Sequence, residues 1–245
     1  MKVRVKYAKT GPLKFISHLD VMRYFQKSIR RAGLDIAYST GLSPHEIISF
    51  AAPMPLMLTS EAEYFDAEFN SLPSHEEFVQ RLNAAGTPFM QVFDAAILPE
   101  KALNSMAAVT ASSYLVTLTE KGEKELGELW RERFSEIIDT LVREDAIVVI
   151  KKTKKKEEPT DIRPMIHQLE YRTGEDGSGS IYMLLAAGSK VNLRPEQILT
   201  EIEARLFVPY DRFHFDILRL ETYMDGTGEE GPRFVPLIEA GNRDF

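Results

Sequence analysis

The sequence predicts an α+β protein of two tandem ferredoxin-like halves, each ordered β-α-β-β-α-β and packed together. Two observations lead to this fold class. Segments that alternate with period two and segments with helical period recur in the same order twice along the chain. A stretch carrying Pro99 and small residues separates the two runs. The expected divisions are a basic half at 1–97, a linker at 98–111, and an acidic half at 112–245 with an extra hairpin. The halves share a pattern and no alignable residues.

Val3, Val5 and Tyr7 alternate with Lys2, Arg4 and Lys6, the pattern of a half-buried strand with a basic outer face. Gly11-Pro12 ends it. Ser17, three residues before Asp20, resembles a capping box, and Leu19, Met22, Phe25, Ile29 and Ala32 follow as a helical stripe closed by Gly33. Short strands are expected at 36–38 and 47–52 around a polar turn, and a longer one at 61–69 with Phe65, Ala67 and Phe69 inward. Ser74 caps a second helix to about 84, with Glu76 and Glu77 in the first turn where the macrodipole favours acids. Residues 89–97 complete the first half. In the second, a strand at 113–119 precedes one long helix at 123–143 and an apolar strand at 146–150. A hairpin pairs 162–171 with 181–187, a helix runs from Pro195 to about 206, and 213–220 is the closing strand.

The composition excludes several chemistries. Of 245 residues none is Cys, which removes thiolate nucleophiles, disulfides and Cys-ligated zinc or iron–sulfur sites. The five histidines (His18, His45, His75, His167, His214) show no paired metal-ligand spacing. The Gly-rich nucleotide signatures and the Gly-x-Ser-x-Gly hydrolase signature are missing, so neither a cofactor nor a metal is expected. No apolar run approaches the roughly 18 residues of a membrane span. The N-terminus lacks the apolar core of a signal peptide, and a cytoplasmic protein with no membrane partner is expected.

Charge supplies the positive signal. The first fifty residues carry a surplus of six positive charges, in a chain whose formal total is −7. Like charges crowded together cost stability, so such a split points to a surface kept for an anionic partner. Arg23, Lys27, Arg30 and Arg31 fall on one side of the first helix; with Lys14 they are the candidate contacts to a nucleic-acid backbone. The lysines within 151–156 form a second basic run, read as a solubilising hairpin tip beside Glu157-Glu158. His18 lies in the first helical turn, where the macrodipole favours neutral imidazole, and His45 sits in a turn. If the strand from 36 runs back along the helix, Ser17, His18, Ser43 and His45 form one polar pocket near Arg23, with the two imidazoles within about 12 Å.

Several segments together resemble a known family. They are Thr10-Gly11-Pro12-Leu13-Lys14-Phe15-Ile16-Ser17-His18-Leu19-Asp20, Arg30-Arg31-Ala32-Gly33-Leu34, Ala37-Tyr38-Ser39-Thr40-Gly41, Pro44-His45 and Ile48-Ser49-Phe50-Ala51. Residues 61–66, Asp161-Ile162-Arg163-Pro164 and Asn192-Leu193-Arg194-Pro195 extend the match. The chain resembles the radical-SAM-linked domain family of unknown function, whose members stand alone or follow a radical SAM protein. It departs from that family at Gly41 to Ile47 and at Met54 to Met57. The resemblance implies a radical SAM protein as partner and assigns no reaction. Without cysteines this chain cannot hold the cluster of such a partner.

The expected function is a non-catalytic recognition module that binds RNA, or an RNA–protein substrate, through the basic N-terminal face. The alternative is a metal-independent RNA endonuclease with His18 or His45 as general base, since that reaction requires only a base, an acid and nearby cations.

Overall fold

The computed structural model describes residues 1–152, 157–189, 191–226 and 233–245. The chain forms two compact units, Met1–Ala111 with Arg219–Phe245, and Ser112–Leu218. The expected C-terminal half at 112–245 is therefore divided, because its last segment returns to the first unit.

In the first unit β1 (Lys2–Lys9) leads through a 3-10 turn (Gly11–Phe15) into α1 (His18–Arg31). Gly33 ends the helix in the left-handed region at φ +64°, the conformation that a C′ glycine adopts without a Cβ penalty. The expected strand at 36–38 is reduced to isolated bridges, Ile36 to Phe69 and Tyr38 to Glu46. A three-residue β2 (Ile48–Phe50), β3 (Thr59–Glu68), α2 (His75–Ala84) and β4 (Val92–Ile97) follow. β1 lies between β3 and β4, and β2 pairs with β3, all antiparallel. The stretch expected as linker carries α3 (Ser105–Ala108) and belongs to this unit.

The core fills the space between this sheet and its helices. Val3, Val5 and Tyr7 of β1 meet Val21, Phe25 and Ile29 of α1, Phe65 and Ala67 of β3, and Phe78 and Leu82 of α2. Phe25 is the hub, with ring centroids 4.5 Å from Tyr7 and 4.7 Å from Phe65. Each such side chain contributes roughly 1.5–3 kcal/mol by leaving water. The buried stripe of α1 is thus Val21/Phe25/Ile29, and Leu19, expected inside, is exposed.

The second unit starts within β5 (Val109–Leu118). The expected long helix is two, α4 (Glu120–Glu132) and α5 (Phe134–Arg143), separated at Arg133. β6 (Val148–Lys152) pairs with β7 (Glu157–Asp161) as a hairpin; residues 153–156 of the Lys-rich run lie outside the described residues. The hairpin between β8 (Ile166–Thr173) and β9 (Gly179–Ala186) agrees with expectation. α6 (Pro195–Arg205) and β10 (Phe215–Asp225) follow, and the strand order is β10-β5-β9-β8. From Arg219 onward β10 belongs to the first unit, where it pairs with β3 and with β11 (Phe234–Pro236). Among the described residues no helix is long and apolar enough to cross a membrane.

Candidate functional site

The site builds outward from the start of α1. Ser17 Oγ accepts a hydrogen bond from the Asp20 backbone N–H at 3.3 Å, and the Asp20 carboxylate accepts from the Ser17 hydroxyl at 2.6 Å and the Ser17 N–H at 3.2 Å. This reciprocal cap satisfies donors that a helix start leaves unpaired. The Ser17 hydroxyl bond, followed by that of its backbone, holds the Asp20 carboxyl below the usual carboxylate range. Just upstream, the buried Lys9 ammonium donates to the Ile16 carbonyl at 3.2 Å. Burial pulls the Lys9 pKa down, partly opposed by Glu63.

His18 stands half-buried with its ring edge-on to Phe50, centroids 5.5 Å apart. Burial pushes its pKa below the ordinary imidazole value, Glu63 opposes this and Lys9 adds to it. A neutral ring follows near pH 7. His45 lies elsewhere, exposed, with Nδ1 2.9 Å from Ser39 Oγ and 3.4 Å from the Ser43 carbonyl. Ser39 and His45 also exchange main-chain contacts, Ser39 N–H to His45 O at 2.9 Å and His45 N–H to Ser39 Oγ at 3.1 Å. That closed turn joins Ser39 to His45, and the chain after it runs back along α1, reaching His18 with Phe50. Glu46, next after His45, meets Gln26 and Arg30. Those positions lie about 12 and 18 Å along the helix axis from His18 at 1.5 Å per residue. His18 thus has Phe50 as its ring neighbour, and His45 has Ser39 and Ser43. His45 also lines a cavity of about 470 Å³ with Ser39, Glu46, Ser49, Glu68 and Asn104 among its walls.

The basic face also differs from expectation. Arg4 is fully buried, bidentate to Asp66 through Nε (2.8 Å to Oδ1) and Nη2 (3.1 Å to Oδ2). Its remaining donors reach the carbonyls of Leu237 (3.1 Å) and Leu103 (2.9 Å), and Asp66 accepts from the Ser105 N–H at 2.7 Å. Lys2 adds to the pair at 3.6 Å. Lys6 meets Glu221 at 2.5 Å, and Tyr64 donates to the same carboxylate at 2.6 Å. Arg219 and Glu63 form a further buried pair at 2.7 Å. Both faces of β1 are covered, and its cations neutralise acids inside the unit. Removing one member of a pair such as Arg4–Asp66 costs about 3–5 kcal/mol, because it strands a desolvated charge. The sequence did hold a signal for this network: β3 carries Asp66 directly opposite Arg4 and Glu68 opposite Lys2 in register.

What stays at the surface is the outer side of α1. Arg23, Lys27, Arg30 and Arg31 are all exposed. Arg23 approaches Asp20 at 3.8 Å, Arg30 approaches Glu46 at 3.4 Å, and Arg31 donates to Ser28 Oγ at 3.1 Å. Arg23–Asp20 is an exposed pair of the kind that contributes little, typically under about 1 kcal/mol, whereas the partners of Arg30 and Arg31, Glu46 and Ser28, are buried. Lys14 lies in the preceding turn with its ammonium 5.6 Å from the centre of the Phe15 ring. Among the described residues no group of three or more acidic and histidine side chains is placed to hold a metal.

Among curated proteins none matches the sequence. A chain in the crystal structure of a Cbf5-Nop10-Gar1 complex is similar in structure, with a TM-score of 0.47 and 10% identity. The alignment covers 90% of this chain and 48% of that one, so this chain spans about half the length of its structural neighbour. The sequence model of a family described as an uncharacterized protein conserved in bacteria (DUF2344) matches residues 2–195. That match covers both the capped first helix and most of the second unit, and the chain belongs to that family.

Proposed function

We propose that the first unit is a non-catalytic recognition module for RNA or an RNA–protein substrate, with the outer face of α1 as the contact surface and a radical SAM protein as the enzyme it serves. The observation that carries the RNA half is the exposed set Arg23, Lys27, Arg30 and Arg31, left outward while Lys2, Arg4 and Lys6 are consumed by internal pairs. Cations presented along one helix suit successive phosphates and impose no base preference. The radical SAM half is supported by the sequence resemblance. A cytoplasmic place accords with an RNA partner. The order β4-β1-β3-β2 in the first unit and β10-β5-β9-β8 in the second supports reading both as ferredoxin-like.

The test is a pair of exposed reversals, Arg23→Glu with Lys27→Glu, measured by anisotropy of a labelled RNA across a salt series. Weaker binding and a shallower salt slope are expected. Absence of RNA binding by the native protein at low salt would refute the proposal. The rival endonuclease reading keeps the neutral His18 as a candidate base. His45, the other candidate base of that reading, is exposed and bonded to Ser39 and Ser43. RNA cleavage in EDTA that His18→Ala abolishes would replace the recognition reading with the enzymatic one.

A further inference from the structure

We infer that the surface at the head of α1 binds unpaired RNA bases by stacking, so that the ligand is single-stranded where it meets this end of the unit. The inference rests on the RNA reading above and specifies the strandedness of the ligand. Three large apolar side chains stand in water there: Phe15 at 60% exposure, Leu19 at 61% and Phe89 at 42%. None is needed by the core, whose α1 contribution comes from Val21, Phe25 and Ile29.

Local bonds hold the Phe89 ring beside the Gly11–Phe15 turn that carries Phe15, while Leu19 opens the cationic ridge of α1. The Thr10 N–H donates to the Phe89 carbonyl at 2.9 Å, and the Phe89 ring lies over Gly11 so closely that a Cβ there would sit 2.6 Å from Cδ1. Gly11 also has φ +53°, so residue type and backbone both serve the approach of that ring. Tyr24 Oη accepts from the Thr87 N–H at 2.8 Å, fixing the Phe89 turn against α1. The Met57 N–H donates to the Lys14 carbonyl at 2.7 Å, which brings the exposed Leu56 to the same segment.

The charges beside this patch select its occupant. Leu19, Arg23, Lys27 and Arg30 follow one ridge of α1, at spacings of four, four and three residues, or about 6 Å, 6 Å and 4.5 Å along the axis. A ligand lying on that ridge meets cations along its length and the exposed Leu19 and, just before the helix, Phe15 toward its N-terminal end. Single-stranded nucleic acid has this chemistry, a phosphate chain with free base faces. A duplex offers the phosphates and hides the faces.

Binding of the native protein to a labelled 12-nucleotide RNA of mixed sequence is compared with binding to the same sequence as a duplex and to an abasic ribose-phosphate oligomer. The single strand is expected to bind at least tenfold more tightly than either. Phe15→Ala should weaken single-strand binding about tenfold and leave the salt slope unchanged, whereas Phe15→Tyr should keep it. On the abasic oligomer Phe15→Ala should have no effect. Equal affinity for strand and duplex, together with an inert Phe15→Ala, would overturn the stacking inference even if Arg23→Glu/Lys27→Glu still weakens binding. Loss of all RNA binding in the native protein would instead remove the underlying RNA reading. Binding of an acidic, Leu-rich peptide that displaces the single strand without dependence on an aromatic at position 15 would overturn the stacking inference as well.

Discussion

His214 of the second unit lies between two carboxylates, Nδ1 2.7 Å from Glu203 and Nε2 3.0 Å from Glu125. Burial acts to lower its pKa, and the Glu203 and Glu125 bonds outweigh burial, so the folded value is raised. Glu203 is raised too, because its own burial outweighs the attraction of His214. A raised imidazole means that the folded state holds this proton more tightly than the unfolded chain, whose value is about 6.5. The stabilisation is therefore full below about pH 6.5 and is lost as pH rises through the folded pKa. Urea midpoints are expected to fall between pH 6 and pH 8.5 in the native protein, with a smaller fall in His214→Gln. Identical slopes in both proteins would rule this pair out as the titrating group. Neither partner acid was visible from the histidine itself, since Glu125 and Glu203 lie 89 and 11 residues away in sequence.

At the scale of elements, the motif around Ser17 resolves into a helix start. Ser17→Ala removes the side-chain acceptor of the cap and is expected to cost about 1 kcal/mol. Chemical denaturation checks it; a loss near zero would mean that Asp20 alone sustains the cap. The cap was legible because its Ser-x-x-Asp spacing is local. The inward stripe was legible in principle as well. Around a helix of 3.6 residues per turn Val21 stands about 40° from Phe25, whereas Leu19 stands about 120° away. Counting Leu19 into the stripe placed an apolar residue inside that the fold keeps outside. The β1 cations illustrate the opposite limit. Alternation reported two faces correctly, but period two cannot reveal whether the second face meets water or another segment.

At the scale of the molecule, the first unit is discontinuous. Arg219–Phe245 returns to it, bringing Arg219 to Glu63, Glu221 to Lys6 and Tyr64, the Leu237 carbonyl to Arg4, and Phe245 against Phe78. A fragment 1–111 would leave Arg4, Glu63 and Tyr64 with lost partners. We expect that fragment to show no cooperative unfolding, and a permuted chain joining 219–245 through a short linker to 1–111 to regain it. Circular dichroism melts would decide, and a cooperative 1–111 would show that the returning segment is dispensable. Short-range signals in the chain specified β1, the capped α1, Gly33 at its end, α2 and the β8–β9 hairpin. Periodicity and capping act within a few residues, so they are written locally. Long-range packing set the burial of Arg4, the meeting of His18 with Phe50, and the return of Arg219–Phe245 to the first unit. Those outcomes depend on contacts up to 233 residues apart, as between Arg4 and Leu237, where long-range packing and charge compensation rule and no local pattern reports them.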